Sequence, residues 1–217
     1  MASGTERERL RAAAGEGRVL NRCSQHKGST MSTASLSVPT RLDPYADADG
    51  QFEVVNGVRV EKAMSVFEQT IATLLIGRLE PFCRENGLGR AFVETAFRIP
   101  GSGNDRKPDV AFLSFQRWPA ARGTPRTNAW PIAPDLAVEV ISPTDKWFDV
   151  YDKLREYFAG GVRQVWVIGS NLEQVTIFDS LTAVRILTRA DELTGDPIIP
   201  GFRMAVTDLF PLPEPTP

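Results

Sequence analysis

Histidine is almost missing from this 217-residue chain, and its single copy, His26, lies in a stretch without regular patterning. One imidazole cannot build a histidine-rich zinc site or a shared proton relay. Cysteine is nearly as scarce: Cys23 and Cys83 have no C-x-x-C spacing, which argues against a disulfide-dense secreted scaffold and fits a reducing compartment. No apolar run approaches the roughly 18–20 residues that span a bilayer. The charged N-terminus is followed by no apolar stretch of the secretory kind, so a cytoplasmic protein without a membrane segment is expected. A basic excess is missing too. Lys and Arg number 25 against 27 Asp and Glu, for a net charge of −2. The first 30 residues contribute +3 and leave −5 on the remainder. General nucleic-acid binders are usually basic because phosphates need counter-charge. The expectation is at most a local basic surface around a small acidic site.

What the chain does have is 42% hydrophobic residues, enough for one sizeable core. Residues 1–42 carry no sustained periodicity and read as a flexible N-terminal extension, with Met31 as a candidate alternative start. The domain is expected over 43–212, with a Pro-rich tail at 213–217. Two short β-prone pieces flank Asn56-Gly57, a dipeptide suited to positive φ, and predict a hairpin. Met64, Phe67, Ile71, Leu74, Leu75 and Leu79 then recur at three- and four-residue spacing, which predicts a helix to about Glu85. Ser65 and Glu68 stand at the spacing of a reciprocal cap, and Pro81 would kink the segment. Strands are expected at Phe92–Ile99, Val110–Ser114, Leu136–Ile141, Val165–Ile168, Val175–Asp179 and Ala183–Leu187. A second helix over Trp147–Ala159 is closed by Gly160-Gly161. Strands with two principal helices imply an α/β (α+β) fold, not a long doubly wound chain.

Two acids break this apolar pattern. Asp109 opens the strand after Lys107-Pro108, and Glu139 sits among Val138, Val140 and Ile141. A carboxylate buried without a cation or hydrogen bonds is costly. If both acids share a cleft, a divalent ion relieves their repulsion. Oxygen donors without a Cys or His cluster select Mg2+ or Mn2+ over structural zinc. Lys153, fourteen residues beyond Glu139, falls on the second helix near Asp149 and Tyr157 by i,i+4 geometry. A metal that lowers the pKa of bound water, next to a lysine, answers the chemistry of phosphodiester hydrolysis without a covalent nucleophile.

From about Phe52 to Phe210 the sequence resembles the Uma2 family of restriction-endonuclease-like proteins, within the PD-(D/E)XK nuclease superfamily. The resemblance is carried by Phe52-Glu-Val-Val-Asn-Gly57, Pro108-Asp-Val-Ala-Phe112, Pro134-Asp-Leu-Ala-Val-Glu-Val-Ile-Ser-Pro143 and Asp149-Val-Tyr-Asp-Lys-Leu-Arg-Glu-Tyr157, which leads into Gly160-Gly-Val-Arg-Gln-Val-Trp-Val167. It implies a restriction-endonuclease-like mixed central sheet flanked by helices, with the metal at the sheet's edge, and a metal-dependent endonuclease acting on DNA. Asp109 matches the acid after proline and Glu139 the second acid. Ile141 stands where the simple pattern has lysine, so Lys153 on the helix is the residue carried over. Glu68, Glu94 and Tyr157 are additional candidate site residues, and a homodimer is the arrangement that would let both strands be cut.

Plainer roles compete for each residue. Asp109 could cap a turn, Glu139 could belong to an internal ion pair, Lys153 could bridge to Asp149, and Tyr157 could simply pack. Trp118, Trp130, Trp147 and Trp166 lack the interleaving with basic residues that marks base-stacking platforms and read as core or loop anchors. Residues 115–135, rich in proline, form an irregular insertion. Arg106, Lys107, Arg117, Arg122 and Arg126 around it are candidate phosphate contacts. Two further functional classes stay open: a catalytically inactive nuclease-fold module that binds nucleic acid or protein, and an acid/base enzyme of the glycosidase kind.

Overall fold

The computed structural model describes residues 43–45 and 51–210. The expected N-terminal extension, with His26 and Met31, and the 213–217 tail lie outside the described residues. Strands β1 (Phe52–Val55) and β2 (Val58–Glu61) form the expected hairpin, turning at Asn56 and Gly57, both with positive φ. Helix α1 (Val66–Glu85) follows. Its capping box is complete, with Ser65 accepting from the Glu68 amide and Glu68 accepting from the Ser65 amide. Pro81 lies inside the helix.

The expected strand over Phe92–Ile99 is two strands in two different sheets. Strand β3 (Gly89–Val93) pairs with β6 (Val110–Ser114), whereas β4 (Phe97–Arg98) pairs with β5 (Asp105–Arg106). The break falls at Glu94, whose φ of 47° is left-handed and ends an extended run because a Cβ is crowded there. Strands β7 (Leu136–Ile141), β8 (Gln164–Gly169), β9 (Gln174–Phe178) and β10 (Val184–Leu187) complete a six-stranded sheet of order β10-β9-β8-β7-β6-β3. Only β7 and β8 run parallel in it, because helix α2 (Trp147–Ala159) supplies their crossover; parallel neighbours need such a connection. The hairpin joins a four-stranded sheet of order β2-β1-β5-β4. Strands β11 (Glu192–Thr194) and β12 (Arg203–Ala205) make a small third sheet.

Both faces of the large sheet are covered, so β7 reads as an almost unbroken apolar run. Leu136, Val138 and Val140 pack with Ile71, Leu75 and Leu79 of α1. Ala137 lies on the opposite side with Val150, Leu154 and Tyr157 of α2. Side chains alternate along a strand, which puts Glu139 on the α2 side with Ala137. The same alternation in β6 sends Val110 and Phe112 toward α1 and Ala111 and Leu113 toward α2. Asp109, one residue before β6, therefore shares the α2 side with Glu139.

Packing at the outer strand is tight enough to test. A Cβ added at Gly89 would meet the Phe112 ring at 2.7 Å and the Ser114 backbone at 2.8 Å, with the Leu113 carbonyl closer still. Because backbone cannot yield as a side chain does, Gly89→Ala should destabilise the fold by about 1–3 kcal/mol, read as a lower urea midpoint with an unchanged m-value.

Candidate active site

The two acids meet through strand register. In the β6–β7 ladder Val110 lies opposite Val138 and Ala111 opposite Ala137. The paired register ends there, and Asp109, the residue before Val110, borders the same cleft as Glu139, the residue after Val138. Two bonds tie Asp109 to β7: its amide donates to the Val138 carbonyl at 3.0 Å, and the Val140 amide donates to its side-chain Oδ2 at 2.6 Å. The two strands are inner neighbours in the sheet, flanked by β3 and β8. The pair thus lies at strand ends within the sheet, not on a lateral edge strand.

Helix α2 completes the cluster from above. Lys153 Nζ donates to Glu139 Oε2 at 3.1 Å, and the Tyr157 hydroxyl donates to Glu139 Oε1 at 2.6 Å. Lys153 also reaches Glu53 Oε1 on β1 at 3.3 Å. Its partners are those two acids and not Asp149. Tyr157 is fully buried, so it both packs and orients Glu139. Glu68 borders the same cleft, although its carboxylate is engaged by the Ser65 amide at 2.7 Å. Glu94 adjoins Asp109: its amide donates to the Asp109 carbonyl at 3.1 Å, and its carboxylate faces Lys62 at 3.5 Å and Lys107 at 3.8 Å.

One neighbour of the acid pair, Lys62, carries no local sequence signal. Lys62, directly after β2, places Nζ 2.5 Å from Asp109 Oδ1 and donates to the Lys107 carbonyl at 2.6 Å. Arg106, a candidate phosphate contact on sequence, is buried between Glu53 at 2.9 Å and Glu156 at 2.6 Å. Arg117 likewise turns inward, donating to the carbonyls of Ala133, Pro134 and Gly161. Arg122 lies over the Trp118 ring and remains exposed, as does Arg126.

Electrostatics assign the protonation states. Burial pushes the Asp109 carboxyl up, to about 7, with the Glu139 charge adding to the rise and the Lys62 ammonium opposing it. Burial also acts to raise Glu139, but Lys153, Lys62 and the Tyr157 hydroxyl outweigh it and hold that carboxyl below its usual range. Burial would lower Lys153, yet Glu139 and Glu53 overcome it and keep the ammonium well above its ordinary value. Tyr157 is raised far beyond neutrality, first by burial and then by Glu139. At neutral pH Lys153 and Tyr157 are therefore proton donors, which rules Lys153 out as a resting general base.

The raised Asp109 value has a signed consequence. Between its unfolded pKa near 4 and about 7, the folded state binds the extra proton. Stability contributed by this group is therefore lost as pH rises across that window. Metal-free protein should lose stability from pH 4 to 7 relative to Asp109→Asn, measured by urea unfolding at each pH. Affinity for a divalent cation, which needs the ionised form, should rise over the same range.

These groups border a cleft of about 430 Å³. Eight acidic side chains against four basic ones line it, so an unaccompanied phosphate would be repelled. Among the described residues no three Asp, Glu, His or Cys side chains converge as a ligand set. Asp109 and Glu139 still fit a hard divalent ion of the magnesium type, which keeps several waters and needs only one or two carboxylates. Asp109 Oδ1 is the pertinent atom, shielded from solvent and faced by the Lys62 ammonium at 2.5 Å.

A mixed six-stranded sheet between two helices, with an acid pair at adjacent strand ends, defines a restriction-endonuclease-like fold. The solved structure titled a "putative nuclease belonging to DUF820" from Anabaena variabilis shares it, with a TM-score of 0.64 at 18% identity over 73% of this chain and 89% of that one. The family model for Uma2, described as "Putative restriction endonuclease", matches residues 40–207, and the chain belongs to that family. No curated protein matches. Among the described residues no helix is long and apolar enough to cross a membrane.

Proposed function

We propose that this chain is a Mg2+- or Mn2+-dependent endonuclease that hydrolyses DNA phosphodiester bonds in the cytoplasm. The observation that carries the reading is the buried acid pair Asp109 and Glu139, brought to one acidic cleft by the neighbouring strands β6 and β7, with a charged lysine on one of them. Asp109 and Glu139 would hold the ion, which when bound neutralises phosphate charge and lowers the pKa of water. Tyr157 fixes the rotamer of Glu139. The Lys153 ammonium is placed to stabilise negative charge developing on a phosphate oxygen, and Glu53 anchors its far side. Arg106 contributes indirectly, by holding Glu53 in place.

Incubation of supercoiled plasmid with the purified chain tests this. Nicked or linear product is expected in Mg2+ or Mn2+, none in chelator. Cleavage that persists in chelator defeats the assignment. A second reading, a non-catalytic nucleic-acid-binding module on the same fold, is favoured by one observation: each site carboxylate already has an ammonium partner. Retained DNA binding with no cleavage in any divalent metal would select it.

A further inference from the structure

We propose that Lys62 is a built-in counter-cation for Asp109 that a divalent ion must displace, so that this one side chain sets the metal concentration at which the site fills. The inference rests on the reading of Asp109 as a metal-binding residue. Lys62 is not on the helix or strands that carry the acid pair. It leaves the hairpin just after β2 and reaches across to Asp109 Oδ1 at 2.5 Å. That oxygen is shielded from solvent, so the lysine ammonium against it is its principal compensation. The ammonium is itself only 11% exposed at its side chain, and it is tied down by the Lys107 carbonyl at 2.6 Å and by Glu94 at 3.5 Å.

An ammonium and a divalent ion cannot both take the open side of one carboxylate oxygen. Within roughly 4 Å of each other they would repel strongly in so poorly solvated a place. Filling the site is therefore a competition between a tethered cation and a free one, and the apparent affinity is lowered by the fraction of molecules in which the lysine has withdrawn. Withdrawal has somewhere to go, because Lys62 borders the cleft and its flexible stem can swing the ammonium into that open space. Lys153 differs. It sits on the other acid, braced by Glu139 and Glu53 together, and stays with the site when Lys62 leaves.

Mn2+ binding to the full chain, followed by titration calorimetry, tests the competition. Lys62→Met keeps the stem and removes the charge, and it should bind Mn2+ about tenfold or more tighter than the parent. The ion should also raise the thermal midpoint of Lys62→Met by more than it raises the parent's. A second measurement needs no variant. Amine-reactive labelling of the unmodified chain, read by mass spectrometry, should rise several-fold at Lys62 on saturation with Mn2+ and stay level at Lys146. Equal or weaker Mn2+ binding by Lys62→Met, or unchanged Lys62 labelling at saturation, overturns the inference. Asp109→Asn separates the two claims. If Asp109→Asn loses Mn2+ binding while Lys62 fails its tests, the metal site stands and the counter-cation falls; if it binds Mn2+ like the parent, both fall.

Discussion

Asp109→Asn and Glu139→Gln should each lower metal-dependent plasmid cleavage by on the order of 10³-fold or more, with secondary structure and unfolding cooperativity retained. Each replacement keeps the shape of its side chain and removes one unit of negative charge. In Asp109→Asn the side-chain amide oxygen can still accept from the Val140 amide, the bond that ties Asp109 to β7, so a loss of activity would report charge and not position. In Glu139→Gln the one remaining oxygen can still accept from either Lys153 or Tyr157, the two donors that the carboxylate satisfies together. Lys153→Met should cost about 10²–10³-fold, the usual loss when one preorganised donor to a developing oxyanion is removed. Because the three groups act as a unit, the double variant Asp109→Asn/Lys153→Met should be hardly worse than Asp109→Asn alone. Initial rates on supercoiled substrate at saturating Mn2+ supply the comparison. Wild-type rates in all three single variants would remove the acid pair from catalysis.

How much of this was readable beforehand depends on the range of the interaction. Asp109 and Glu139 stood out because each breaks a local pattern, an acid before an apolar strand and an acid within one, whereas Lys153, on the polar face of an amphipathic helix, was picked out by the family resemblance. Strand alternation and the α2 crossover then deliver all three to one side of the sheet. Lys62 had no such mark, since a lysine between a hairpin and a helix cap is indistinguishable from a solvated one until β1 and β2 are docked beside the large sheet. Arg106 misled for the same reason. In a Gly- and Asn-rich stretch it resembles a surface cation, yet its partners Glu53 and Glu156 lie 53 and 50 residues away. Glu53 did carry a usable sign, as an acid flanked by Phe52 and Val54 in a strand, the same exception that flagged Glu139. The break at Glu94 was invisible because nothing in Phe92–Ile99 is a turn residue. The left-handed backbone there is imposed by the switch between sheets, and such strain persists only where the surroundings over-determine it.

Arg106→Met should destabilise the fold by about 3–5 kcal/mol, the range for removing one partner from a buried ion pair. The guanidinium is 11% exposed and holds Glu53, which is 4% exposed, at 2.9 Å, and Glu156, 12% exposed, at 2.6 Å. Burial acts against its charge, but Glu53 and Glu156 hold its pKa above the ordinary arginine value, so it remains ionised. A methionine fills much the same volume and leaves two carboxylates facing each other without their shared cation. Glu53 would keep the Lys107 amide at 3.0 Å and Lys153 at 3.3 Å, and this redirects the damage toward the site. An under-compensated Glu53 draws Lys153 away from Glu139, so cleavage should fall even under conditions where the variant is fully folded. Glu53→Gln/Arg106→Met should recover part of the lost stability, with a coupling of roughly 1–3 kcal/mol in the double-mutant cycle. Urea unfolding of the four proteins measures that coupling, and a value near zero would mean that the Arg106–Glu53 contact contributes nothing to holding β1 and β5 together beneath α2.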